Sequence, residues 1–225
     1  MIIRWQGALL GLLVATSCTP IADPEPVTYQ YHPDSSFNAH WYDGLAEVNR
    51  YALTQQRYGE QRQGDAVVIF VTETHDAQTH VKVNDPSTGN LPVLKMNHYR
   101  RFPTGIYPYT LMTGVFTPVD TAWAAYPTRI SHSMQEWCGQ VYLQVDRWQP
   151  DQWHYRLHSY FEDESRDTQL EVALTEDGLW NLLRLDPAHF PTGPIQLVPA
   201  AHYLRFTHQP WSTYKATATI DQGVA

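Results

Sequence analysis

The side chains of this 225-residue chain best suited to nucleophilic or metal chemistry are two cysteines, Cys18 and Cys138, and eleven histidines. Cys138 stands in the phrase QEWCGQVY. A thiol becomes a nucleophile only beside a base or positive charge, and the sequence offers Glu136 and His132 close by, with His158 further on. Helix N-termini are a common setting for reactive thiols, and nothing around Cys138 reads as helix. The simpler expectation is a small side chain in a strand.

The histidines raise the question of a metal. His154 and His158 are four apart, which on a strand places both on one face about 13 Å apart, too far to share an ion. The zinc pattern HExxH needs a glutamate where Tyr155 stands. His75 and His80 flank a turn with Asp76 beside them and are the remaining metal candidates; ordinary surface histidines are the simpler reading, and no metal is expected. There is no nucleophile elbow, phosphate-cradling loop or dinucleotide fingerprint, so no cofactor is expected either. Asp163, Glu164 and Asp167 lack the glycine and spacing of a calcium loop and read as a solvated turn.

Eight Trp and fourteen Tyr are the remaining signal. Trp41 and Tyr42, Tyr107 and Tyr109, and Trp148, Trp153 and Tyr155 form clusters; Tyr107, Tyr109, Trp137 and Tyr160 are candidates for lining a concave site for an apolar or glycan ligand. Large aromatics also dominate burial in any β domain, and filling the core is the expectation to beat.

These residues must be positioned mainly by strands. AVVIFVTET at 66–74 is continuous and β-branched, as for a strand buried on both faces. At 141–145 and 153–161 apolar and polar residues alternate with period two. Further strands are expected at 45–58, 80–84, 91–98, 106–117, 126–134, 168–174 and 195–208, separated by Pro, Gly, Asn and Asp. A single helix is expected at 175–185, capped by Thr175 and stopped by Pro187. The fold class is therefore all-β with one short helix, an antiparallel curved sheet or barrel, with a sandwich as the alternative. FPTG at 102–105 recurs at 190–193, which reads as turn chemistry used twice rather than an internal repeat.

The first eighteen residues read as an export leader: Arg4, a short apolar run from Ala8 to Ala15, then Ala15, Thr16 and Ser17 before Cys18. This resembles a bacterial lipobox and implies acylation of Cys18 with loss of residues 1–17. Thr19 after that cysteine resembles the sorting rule for outer-membrane delivery, so the expected location is the periplasmic face of the outer membrane. The organisation expected is a leader at 1–17, acylated Cys18 with a Pro-rich tether at 18–36, one β domain at 37–212 and a tail at 213–225. Cys138 would then be the lone thiol, leaving no disulfide framework. Loss of one cation with the leader takes the formal charge from −8 to −9. That balance, with no basic cluster beyond Arg100 and Arg101, excludes nucleic acid as a natural partner and leaves membrane attachment to the acyl chain.

The phrases WYDGLAE (41–47), QRYGE (56–60), VIFVTE (68–73), TGIYPY (104–109), QEWCG (135–139) and HSYFE (158–162) together resemble a group of bacterial exported proteins labelled "septum formation inhibitor Maf". The likeness spans 37–209. True Maf proteins are cytosolic nucleotide pyrophosphatases of α/β fold that open on a Ser-x-Ser-x-Arg-Arg loop, which this chain lacks. The resemblance therefore implies no catalytic residue, although QEWCG draws attention to Glu136 and Cys138. The expected function is a lipid-anchored envelope binding or assembly module without cofactor, its partner an apolar or glycan ligand or an envelope protein. A thiol enzyme using Cys138 and a metal-binding envelope protein are the alternatives.

Overall fold

The structure, a computed structural model, describes residues 35–87, 89–119 and 126–221. The leader, Cys18 and most of the expected tether lie outside the described residues. Eight antiparallel strands follow one another across a single sheet in chain order: β1 (Glu47–Arg57), β2 (Glu60–His75), β3 (Leu91–Thr104), β4 (Tyr107–Pro118), β5 (Arg129–Glu136), β6 (Gly139–Gln149), β7 (Gln152–His158) and β8 (Arg166–Glu171). The sheet does not close into a barrel, since β1 and β8 are both edges. Edge β8 is almost wholly polar, RDTQLE, which discourages pairing with another chain.

Three of the four odd-to-even connections are two-residue turns. Tyr58 and Gly59 both have positive φ (54° and 75°) and join β1 to β2, the backbone that a two-residue primed turn requires. Gly105 (φ 72°) and Ile106 join β3 to β4, and Trp137 and Cys138 join β5 to β6. Because strand direction alternates, these turns and the β7–β8 loop lie at one end of the sheet.

One face of the sheet carries the core: Phe70, Met96, Leu111, Ile130, Leu143 and Trp153 are all buried. Helix α1 (Ser35–Trp41) docks at its β2 side, where the Trp41 carbonyl accepts from Thr72 Oγ1 at 2.7 Å. Helix α2 (Glu176–Leu185) forms where expected, and the Thr175 hydroxyl accepts from Gly178 N–H at 3.0 Å. Across the core, Asn181 Nδ2 donates to the Leu94 carbonyl (3.0 Å) and to Thr117 Oγ1 (2.9 Å).

The C-terminal part departs from expectation. Residues 195–208 are not one strand: β9 (Gly193–Leu197) is followed by helix α3 (Ala201–Thr207). In α3 the buried residues Ala201, Leu204 and Arg205 recur at three- and four-residue spacing, a period that the preceding strand obscures. The segment set apart as a tail supplies β10 (Tyr214–Ala218), paired with β9. Residues 80–84 hold only a bridge between His75 and Lys82, because the Asp76 side chain organises a turn by accepting from Gln78 N–H and Thr79 N–H. Among the described residues the fold is thus mainly β with three short α-helices rather than one, and a single 3-10 turn at Pro187–His189.

Candidate functional site

The inner face of the sheet carries an unexpected row of polar side chains. In register across β3, β4 and β5 stand His98, Thr113 and His132, flanked by Val68 on β2 and Leu143 on β6. Arg100, two residues along β3 on the same face, donates from Nε to His98 Nε2 at 3.0 Å. Thr113 Oγ1 and His132 Nδ1 are 2.9 Å apart, while His132 Nε2 is buried without a hydrogen-bond partner. Helices α2 and α3 cover this row with Asp177, His202 and Arg205. Asp177 accepts from Ala201 N–H at 2.7 Å and so ties the start of α3 to α2.

Burial dominates the electrostatics here. It drives His98 down to about 4, with the Arg100 charge adding to the effect. It drives His132 to about 3, helped by Arg205 and Arg100, and His202 to about 2, helped by Arg100. All three imidazoles are therefore neutral near pH 7. Burial pushes the Asp177 carboxyl up to about 6, with Glu176 adding to it, against the Ala201 N–H and Arg100 that favour its charged form. This layer positions α3, and α3 in turn delivers Arg205 to an open cavity.

The cavity has a volume of about 360 Å³ and lies between β7, β8, the β7–β8 loop and the C-terminal end of α3. Tyr155, Leu157, Leu170 and Trp211 give it apolar walls, and Glu164, Arg166, Arg205 and His208 give it polar ones. Glu164 organises the polar side. Its Oε1 accepts from His208 Nδ1 at 2.6 Å, and its Oε2 accepts from Ser159 Oγ at 2.6 Å and from Arg205. Partial burial pushes the Glu164 carboxyl up, but the bonds from Ser159 and His208 and the Arg205 charge outweigh it and hold the pKa low. Burial pushes the Tyr155 hydroxyl up to about 12, so it stays protonated as a neutral donor. Arg205 is a side chain only 4% exposed, and Glu164 supplies its countercharge. His208 ends α3 in the left-handed conformation (φ 55°), and Asp163 on the facing loop does the same (φ 58°). For His208 this is the usual left-handed cap of a helix C-terminus, closed by the Gln209 N–H donating to the Leu204 carbonyl at 2.9 Å.

The residues singled out from sequence fall elsewhere. Cys138 is exposed in the β5–β6 turn; its backbone N–H donates to Glu136 Oε2 at 2.7 Å, and its thiol faces the Tyr107 hydroxyl. His132 sits on the inner face against Thr113, so the structure joins Cys138 to Tyr107 and not to His132. His158 is exposed across from Tyr142, where it lines a smaller hollow of about 280 Å³ with Ser133, Gln135 and Gln140. Tyr109 is buried, and its hydroxyl is 2.6 Å from that of Tyr58. Tyr107 and Trp137 stack at 5.8 Å, and Tyr160 is exposed at the same end. His75 and His80 are both buried: His75 Nε2 is 3.5 Å from Glu73 Oε2, and His80 stacks on Trp148. Among the described residues no group of three or more His, Cys, Asp or Glu is placed to hold a metal ion. Likewise among the described residues, no helix is long and apolar enough to cross a membrane.

Glu164 is the clearest correction. Read as part of a solvated turn, it is the residue on which the cavity's polar wall converges. Its partners Arg205 and His208 lie 41 and 44 residues away in the chain, so no local spacing announces them. Compared with family models, curated proteins and solved structures, the chain matches none.

Proposed function

We propose that this protein is a lipid-anchored binding module of the cell envelope, holding an amphipathic small molecule in the cavity beneath α3 without altering it. The observation that carries this reading is the division of the cavity wall. Leu157, Leu170 and Trp211 offer apolar contact, while Glu164, His208 and the buried Arg205 form a fixed polar side. Pockets that combine apolar walls with a few convergent polar groups are the usual form of small-ligand sites. The leader ending at Cys18 supports the envelope location, and the resemblance to exported bacterial proteins agrees with it.

Native mass spectrometry of the protein isolated from cell envelopes tests the binding reading. A small-molecule adduct is expected on the unaltered protein and on Cys138→Ala, and is expected to be lost from Trp211→Ala. No adduct on the unaltered protein, or one that survives Trp211→Ala, overturns it. Metabolic labelling with a fatty-acid analogue tests the anchor: label is expected on the protein and not on Cys18→Ser.

A further inference from the structure

Four large apolar side chains project from the four adjacent connections at one end of the sheet. Tyr58 is 60% exposed in the β1–β2 turn, Ile106 85% in the β3–β4 turn, Trp137 70% in the β5–β6 turn and Tyr160 59% in the β7–β8 loop. Three of these connections are two-residue turns, which ordinarily carry polar residues, and the fourth tip stands beside them in the β7–β8 loop. The rings beneath them form a continuous chain. Tyr58 meets Tyr109 at 6.4 Å, Tyr109 meets Tyr107 at 6.1 Å, and Tyr107 stacks on Trp137 at 5.8 Å. Tyr160 completes the row by lying directly over Gly139, where an added Cβ would come within 2.3 Å of its ring.

We propose that this end of the sheet seats in the headgroup region of a lipid bilayer, with Tyr58, Ile106, Trp137 and Tyr160 as the inserted tips. Trp137 and Tyr160 carry an apolar body and a polar handle, the combination that favours the membrane interface over both water and hydrocarbon. The Tyr58 hydroxyl is held by Tyr109, which leaves the Tyr58 ring edge as the exposed part. The charge around the tips fixes which surface they suit. Arg57 folds back over the rings of Tyr58 and Tyr109, and Arg62 pairs with Glu60 at 2.7 Å. With those two cations engaged, the acids Glu60, Glu136, Glu162 and Asp163 beside the tips, and a formal charge of −9 after loss of the leader, the patch suits a zwitterionic surface rather than an anionic one. The chain length permits the orientation. An anchor on Cys18 leaves 16 residues before Ser35, at most about 60 Å, whereas β1 at 11 residues spans about 36 Å.

The inference takes its bilayer from the envelope reading but uses no residue of the cavity wall. The two features nonetheless share the β7–β8 loop, since Asp163 and Glu164 of the cavity wall belong to the loop that bears Tyr160. The mature chain lacking the acyl cysteine, residues 19–225, makes the test; every described contact lies within 35–221, so none is removed. It is incubated with vesicles of equal parts phosphatidylcholine and phosphatidylethanolamine and sedimented. Binding with a blue shift of tryptophan emission is expected. The triple variant Ile106→Ser, Trp137→Ser, Tyr160→Ser is expected to bind at least tenfold more weakly with an unchanged unfolding midpoint. Adding phosphatidylglycerol is expected not to strengthen binding. No sedimentation of the unaltered chain, equal sedimentation of the triple variant, or a tip-dependent dimer without vesicle binding overturns the proposal. Loss of the envelope adduct or of Cys18 labelling would fall on the binding and anchoring reading alone, because neither enters this measurement.

Discussion

Glu164 and His208, on opposite walls of the cavity, are joined by a 2.6 Å hydrogen bond from the imidazole Nδ1 to the carboxylate Oε1. The other carboxylate oxygen accepts from the almost fully buried Arg205, so one loop residue holds the helix end and its cap together.

Removing that carboxylate should be costly. Glu164→Ala leaves the Arg205 guanidinium buried without its countercharge and is expected to lower the unfolding free energy by about 3 kcal/mol. Pairing it with Arg205→Met removes the stranded charge, and the double variant should be more stable than the two single losses together imply by more than about 1 kcal/mol. Urea denaturation of the four proteins measures the coupling; strict additivity would refute the pairing.

Acid should weaken the fold through the inner-face histidines. His98, His132 and His202 have folded pKa values of about 4, 3 and 2, below the ordinary imidazole range. Their contribution is whole above about pH 6.5 and is lost as the pH falls towards the folded values, because only the unfolded chain takes up the protons. Each such group adds a loss of up to about 1.4 kcal/mol per pH unit. Urea midpoints at pH 7.5, 6 and 5 should fall steadily, and His132→Gln should reduce the slope by about one proton. An unchanged slope would show that His132 is not the buried neutral group described.

Asp177 acts with the opposite sign. Its folded pKa, about 6, lies above the free value, so its contribution is complete below the free carboxylate range and is lost as the pH rises through about 6. Asp177→Asn keeps an acceptor for the Ala201 N–H but removes the buried charge. Relative to the unaltered protein, the variant should be more stable at pH 7.5 than at pH 4.5. Chemical denaturation at the two pH values decides it, and a reversed difference would contradict the burial of the carboxyl.

Gly64 on β2 should tolerate no side chain. A Cβ there would lie 2.2 Å from the Arg101 carbonyl oxygen and 2.8 Å from Phe102 Cβ, both on the neighbouring strand β3. Gly64→Ala should therefore push β2 from β3 and cost about 2 kcal/mol, read as a fall in melting temperature. A variant as stable as the parent would mean that the two strands do not approach so closely.

The sheet was legible because its strands declare themselves locally. The alternation at 141–145 and 153–161 and the β-branched run at 66–74 appear as β6, β7 and β2, and the Thr175 cap appears where α2 begins. Helix α3 was not legible, because Ala201, Leu204 and Arg205 follow directly on a strand of similar composition. Closure into a barrel depends on whether β8 meets β1, a relation between chain-distant edges that no local pattern records. The same holds for the cavity. Glu164 looks solvated beside Asp163 in sequence, and only the arrival of α3 across the loop buries it. The tip residues carry partial signals: Trp137 and Tyr160 read as candidate ligand contacts in sequence, whereas Tyr58 and Ile106 join them only through the common end that the alternating strands create.

The order of the strands also bears on how the protein is made. Each strand of the large sheet pairs only with its chain neighbours, so the sheet can assemble through short-range steps as successive hairpins appear, the kind of topology that folds quickly. Its cover arrives last, because α2, β9, α3 and β10 all lie within residues 175–218. Until that final stretch is in place, α1 covers only the β2 side, and the face bearing Met96, Leu143 and Trp153 lies open to other chains. A chain cut short near Thr175 would thus keep all eight strands of the sheet but leave one side of it open and adhesive.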